Sequence, residues 1–132
     1  VMVDTVFRKG EISQSQGLIL PGGMPGAQNL YLHEGLRKSL IAHNMRETLI
    51  AAICAAPIVL GRRDLLNGRR ATCYPGFEDE LHGAHIVNER VCEDGHIITA
   101  RGPGCVNDFA FAIAARFVDS ATLSRVKSDM LL

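Results

Sequence analysis

The chain has little of what marks the commonest classes of partner. Its 14 basic and 14 acidic residues cancel and are spread evenly, so it offers no basic stripe for nucleic acid and no cationic face for a membrane. No apolar run approaches the roughly 18 residues that a membrane-spanning helix needs. The four cysteines, at positions 54, 73, 92 and 105, show neither C-x-x-C nor mixed Cys/His ligand spacing. That pattern argues against a zinc site and, with no signal peptide in the sequence, favours a reducing cytoplasm over a disulfide framework. His82, His85 and His96 have no second histidine four residues away, so all five histidines read as surface or satisfied polar groups rather than ligands. Internal repeats and low-complexity stretches are absent, and 132 residues make at most one domain, short for a doubly wound sheet covered on both faces.

What is present centres on Thr48 to Leu60, T-L-I-A-A-I-C-A-A-P-I-V-L. Residues 49–53 are continuously apolar, as in a strand covered on both faces within a parallel sheet. Cys54 falls at the carboxyl end of that strand. Ala55 and Ala56 permit a tight strand-to-helix turn, and Pro57 suits the first turn of a helix, where its missing N–H costs nothing. A cysteine on such a turn is aimed out of the sheet, where the helix start and its free amides stabilise a thiolate. The same cysteine also reads as a buried core residue.

Upstream, residues 1–7 alternate apolar and polar as a short strand would, and they resemble a start in mid-domain rather than at an initiator methionine. Residues 17–20 form a second buried strand that runs into P-G-G-M-P-G at 21–26. Gly22 and Gly23 leave amides free to cradle an oxyanion or phosphate, although an ordinary glycine turn has the same composition. Between the two strands, Leu32, Leu36, Leu40 and Ile41 mark one stripe of a crossover helix over 29–44. The glycine loop and Cys54 therefore share the carboxyl edge of the sheet, where open α/β sheets place their sites.

Downstream, the pattern predicts a strand over 70–73 and a helical turn over 77–81. The carboxylates of that turn, Glu78, Asp79 and Glu80, read as a solvated face or as a source of a general acid. A hairpin follows, with 85–88 and 90–92 leading through the turn 93–95 to a returning strand over 96–100. Arg101 stands at that strand's end, placed to bind a carboxylate, a carbonyl oxygen or a neighbouring subunit, or to make a structural salt bridge. Helices over 105–118 and 121–132 complete the reading.

Three loops together carry a resemblance. L-I-L-P-G-G-M-P-G-A-Q-N-L (18–30), A-A-I-C-A-A-P (51–57) and I-T-A-R-G-P-G (98–104), in that order and spacing, resemble the ThiJ/PfpI superfamily over nearly the whole chain. Within it they are most similar to the branch of the Parkinson-disease-associated protein deglycase and its bacterial relatives. The resemblance implies a flavodoxin-like α/β three-layer sandwich with a mostly parallel sheet and a homodimeric assembly. Cys54 matches the family's reactive cysteine on a nucleophile elbow, Gly22, Gly23 and Ala55 match its oxyanion amides, and Arg101 matches its site arginine. It also implies cofactor-free, metal-free action on small 2-oxoaldehydes such as methylglyoxal, or on glycated protein, through a hemithioacetal on the cysteine. Redox sensing by cysteine oxidation and chaperone activity are the implied alternatives.

The chain departs from the pattern at several positions. The family's acid/base glutamate comes from a first strand-to-helix loop that nothing here matches, so residues 1–132 read as one domain lacking an N-terminal β-α-β portion. Tyr74 stands where some relatives carry histidine before proline. Ala55 in place of histidine separates the chain from the protease-like branch, and the lack of a downstream H-x-E separates it from glutamine amidotransferases.

Overall fold

A computed structural model describes residues 2–8 and 12–132. At its centre lies β2 (Leu49–Ile53), in a four-stranded sheet with β1 (Gly17–Leu20), β6 (Ile97–Ala100) and β5 (Val91–Asp94) in the order β1-β2-β6-β5. The pairs β1–β2 and β2–β6 are parallel and β5–β6 is an antiparallel hairpin. The unbroken apolar run of β2 has a direct cause. Ile50 and Ala52 enter a core shared with Leu36, Leu40, Ile58 and Leu60, while Leu49 and Ala51 enter a second one with Ile98, Cys105 and Phe109. Helices α2 (Glu34–Arg46) and α3 (Pro57–Gly61) cover the first face, and α4 (Val106–Ala114) covers the second. The result is a flavodoxin-like α/β arrangement with a mostly parallel sheet, as the resemblance implies.

Several local expectations need correction. No strand forms over residues 2–7, and Met2 and Val3 are exposed; alternation alone does not make a strand without a neighbour to pair with. Residue 1 lies outside the described residues. Strand β1 is buried on one face only, with Ile19 57% exposed, because α4, the helix that covers the other face, packs on β5 and β6. The helix expected over 29–44 is two helices, α1 (Gly26–Leu32) and α2, broken at His33. The break has a chemical reason: His33 turns its backbone extended, at φ −79° and ψ 107°, and its Nδ1 accepts the Leu36 amide at 3.1 Å as an N-cap. Leu32 is consequently left exposed, whereas Leu36 and Leu40 are buried as the stripe requires.

Residues 85–86 do not extend the hairpin. They form β4 (His85–Ile86), which pairs in parallel with β3 (Arg70–Ala71) as a separate two-stranded sheet. The terminal helices are shorter than the apolar stripes imply, α4 ending at Ala114 and α5 spanning Ser120–Asp129. In α5 no residue is fully buried, and Val126 and Met130 are exposed. Two histidines are interior polar residues with partners. His43 is fully buried between Thr48 Oγ1 at 2.6 Å and the Ile12 carbonyl at 3.0 Å, and His96 Nε2 bonds Asn44 Oδ1 at 2.8 Å.

Two outcomes follow from these caps and contacts. Replacing His33 by alanine removes the α2 cap and the edge-to-face contact with Phe7 at 4.6 Å; stability to urea should fall by about 1 kcal/mol, and His33→Asn should restore most of it. Burial, reinforced by Arg69, lowers the His96 pKa below its ordinary 6.5. Below pH 6.5 the unfolded chain therefore binds the proton that the folded chain resists. The contribution of neutral His96 is complete above that pH and lost as pH falls, so urea midpoints at pH 7.5 and 5.5 should differ less in His96→Gln than in the parent chain.

Candidate functional site

The three strand ends at the carboxyl edge of the sheet meet in register. Leu20 pairs with Ala52 and Ile53 with Ala100, so the residues just beyond, Gly22, Cys54 and Arg101, belong to neighbouring loops. Cys54 departs from the strand with a left-handed backbone, φ +64°, which is strained for a residue with a Cβ. Two hydrogen bonds hold it there. Its N–H donates to the Ala100 carbonyl at 2.9 Å, and its own carbonyl accepts the Tyr74 N–H at 2.9 Å. The chain then turns through Ala55 and Ala56 into Pro57 at the start of α3. This sharp strand-to-helix turn is a nucleophile elbow. Cys54 is partly exposed and unpaired, whereas Cys73, Cys92 and Cys105 are buried, so the core reading of Cys54 does not apply.

The glycine loop lies directly against the elbow. A Cβ built on Gly22 would stand 2.5 Å from the Cys54 Cβ and 2.7 Å from the Ile53 carbonyl oxygen, with the Ala55 nitrogen at 3.3 Å. Only glycine fits there. Gly23 follows at φ +91°, a conformation that glycine adopts without penalty. Among the described residues no acceptor is found for the amides of Gly22, Gly23 or Ala55. The Gly22 backbone thus packs directly on the elbow, in a loop and turn whose three N–H groups have no acceptor among the described residues.

Arg101 is placed differently. Its side chain donates to Asn88 Oδ1 at 2.5 Å, and no bond from it to Cys54 is found among the described residues. It forms the wall between two open cavities. One, of about 240 Å³, is lined by Thr72, Cys73, Glu78, Ile86, Val87 and Asn88 as well as Arg101. The other, of about 290 Å³, includes Tyr74, Arg90 and the R-G-P-G loop. Cys54 lines neither, so Arg101 is adjacent to the elbow by strand register but serves the spaces beside it. Tyr74, bonded to the elbow through its N–H, packs its ring near Gly102, where an added Cβ would stand 3.3 Å away.

The acidic turn separates into three different residues. Glu80 binds Arg62 at 2.8 Å, which holds its carboxyl below the usual range, and Asp79 is exposed. Glu78 accepts the Gly76 amide at 2.7 Å and lines the cavity with Arg101. In that cavity burial, with the Glu78 carboxylate adding to it, pushes the Cys73 thiol up to about 11. Sequence reasoning missed Cys73 and Asn88, because the short β3–β4 pairing that brings them beside Arg101 has no periodic signature. No group of three or more potential metal ligands occurs among the described residues.

Comparison with known proteins gives the same architecture. The model of the DJ-1/PfpI family matches residues 1–116. The Parkinson disease protein 7 homolog of Danio rerio is 36% identical over 118 residues, which are 87% of this chain and 62% of that protein. A deglycase of Pyrococcus abyssi is 31% identical over 109 residues, 79% of this chain and 63% of that one. The chain thus spans less than two thirds of the length of either relative. The crystal structure of Drosophila melanogaster DJ-1beta superposes with a TM-score of 0.85 at 31% identity, covering 92% of this chain and 67% of that one.

The close approach at Gly22 gives a direct test. Gly22→Ala should displace the loop or the elbow and slow alkylation of Cys54 by iodoacetamide on the order of tenfold or more. Gly26→Ala, where an added Cβ meets nothing within 4 Å, should leave the rate unchanged; peptide mapping reads both.

Proposed function

Since the chain belongs to the DJ-1/PfpI family, we propose that it carries the site of a cofactor-independent, Cys54-dependent enzyme acting on 2-oxoaldehydes or glycated groups. The observation that carries this reading is a strained, partly exposed cysteine with the Gly22 loop packed against it, where the amides of Gly22, Gly23 and Ala55 have no acceptor among the described residues. The deglycase name of the Pyrococcus abyssi relative points the same way.

In this reading the Cys54 thiolate adds to the aldehyde carbon. A C–S bond forms, the carbonyl π pair moves to oxygen, and the developing oxyanion accepts hydrogen bonds from the three amides. Protonation gives the hemithioacetal. A proton carrier then moves the hydrogen of the former aldehyde carbon to the neighbouring carbon, leaving a thioester of a 2-hydroxy acid, which water cleaves to release the acid and the thiol. Hemithioacetal formation needs only the thiol and the amides, and it is the step this chain carries with its own residues.

A redox-sensing role for Cys54 is the second reading, and one observation favours it. Among the described residues no carboxylate is bonded to the elbow or its amides, and an oxidised thiol needs the cradle without a proton carrier. We also place the protein as a homodimer in the cytoplasm. The exposed apolar residues Phe117, Val126 and Met130 at the C-terminal end supply surface for assembly, and the four free cysteines suit a reducing compartment. No helix among the described residues is long and apolar enough to cross a membrane.

Methylglyoxal turnover separates the two readings. Stoichiometric conversion to lactate that vanishes in Cys54→Ser supports the enzyme. A Cys54 adduct seen by mass spectrometry without turnover favours sensing. Absence of both adduct and turnover overturns the carbonyl reading.

A further inference from the structure

We propose that Cys73 is the resolving partner of Cys54, so that an oxidised Cys54 is captured as an intramolecular Cys54–Cys73 disulfide. The proposal rests on the reading of Cys54 as the reactive thiol and assigns a role to a buried cysteine outside the elbow. The Tyr74 N–H donates to the Cys54 carbonyl at 2.9 Å, which fastens the segment carrying Cys73 to the elbow itself. With standard backbone dimensions, such a bond leaves the carbonyl residue and the residue preceding the donor roughly 5–7 Å apart at Cα. Disulfides span about 4.4–6.8 Å between Cα atoms. Cys54 lies close enough to act on the Cys73 sulfur, as Glu78 and Arg101 also do. Cys73 also lines the cavity it shares with Arg101 and Glu78, so its side chain has open space beside it. Cys92 and Cys105 are buried elsewhere, Cys105 in the core on the other face of the sheet.

The two cysteines are unequal in the way a peroxidatic and a resolving thiol are. Cys54 is partly exposed beside uncommitted amides. Cys73 is 3% exposed, and with its pKa pushed up to about 11 it stays protonated at neutral pH. A hydroperoxide therefore meets Cys54 first. Its thiolate attacks the distal oxygen, the O–O bond breaks, and Cys54 becomes a sulfenic acid while the peroxide leaves as water or alcohol. The Cys73 sulfur then attacks the Cys54 sulfur. The S–O bond breaks, and the hydroxyl leaves with the Cys73 proton as water. Two thiols and one hydroperoxide give one disulfide, one water and one alcohol, or two waters when the oxidant is hydrogen peroxide. Without Cys73, the sulfenate is left to a second peroxide and ends as the sulfinate.

The test treats the full chain with one equivalent of hydrogen peroxide and then with excess, quenches by alkylation, and maps the unreduced peptides by mass spectrometry. The expected result is a loss of two hydrogens and a linked pair of peptides containing Cys54 and Cys73. Cys73→Ser and Cys73→Ala should both divert the product to a Cys54 sulfinate, formed at least tenfold faster than in the parent chain. A parent chain that yields sulfinate at the variants' rate, with no linked peptides, overturns the proposal and leaves the reactive thiol standing. A Cys54 that takes up oxygen in neither chain and forms no disulfide overturns both. Linked peptides in the parent chain decide the matter even where a variant folds poorly.

Discussion

The functional edge of this molecule depends on one peptide unit held in an unfavourable conformation. A left-handed backbone at a residue with a side chain costs about 1–3 kcal/mol, and Cys54 adopts it at φ +64°. The hydrogen bonds from Cys54 to Ala100 and from Tyr74 to Cys54 contribute about 0.5–1.5 kcal/mol each, enough to offset that cost. Their anchors are rigid. Ala100 ends the fully buried strand β6, and Tyr74 follows the segment that Thr72 ties to Thr99 by a 3.0 Å hydrogen bond inside the core. Strain at the elbow is thus held by the part of the fold least able to move, which keeps the thiol and its neighbouring amides fixed before any ligand arrives.

The elbow was legible in the sequence because its causes are local. A strand buried on both faces leaves a continuous apolar run, and Pro57 and the two alanines mark the turn that follows. The glycine loop was legible as composition, but its closeness to Cys54 was not. That approach depends on the register of β1 against β2, and only a built Cβ at Gly22 shows that there is no room for one. His33 shows the reverse limit. The leucine stripe runs through it without interruption, yet a single imidazole accepting one amide is enough to stop one helix and begin another. Periodicity records which face is buried and is silent about such caps.

The largest gap concerned the segment 70–90. Its two-residue strands are too short to leave a pattern, and they pair with each other instead of extending the hairpin. Yet this small sheet is what builds the cavity beside the elbow. It brings Cys73, Glu78 and Asn88 around Arg101, and it turns three adjacent carboxylates into one neutralised by Arg62, one in solvent and one facing the cavity. Local charge density carried no information about that division, which is set by which side of a single 3-10 turn each residue occupies.

The same segment explains how the four cysteines come to lie in different surroundings. Burial raises the pKa of Cys73 and of Cys92, and a protonated buried thiol behaves as a small apolar side chain. Cys105 packs in the core beneath α4. Cys54 escapes that core because the left-handed turn lifts it beyond the sheet edge. Had its backbone continued as a strand, the alternation of β2 would have pointed it into one of the two cores. A single reversal of φ therefore sets the partly exposed cysteine apart from the three buried ones, and Gly22, by leaving no side chain of its own, leaves the space in which that reversal fits.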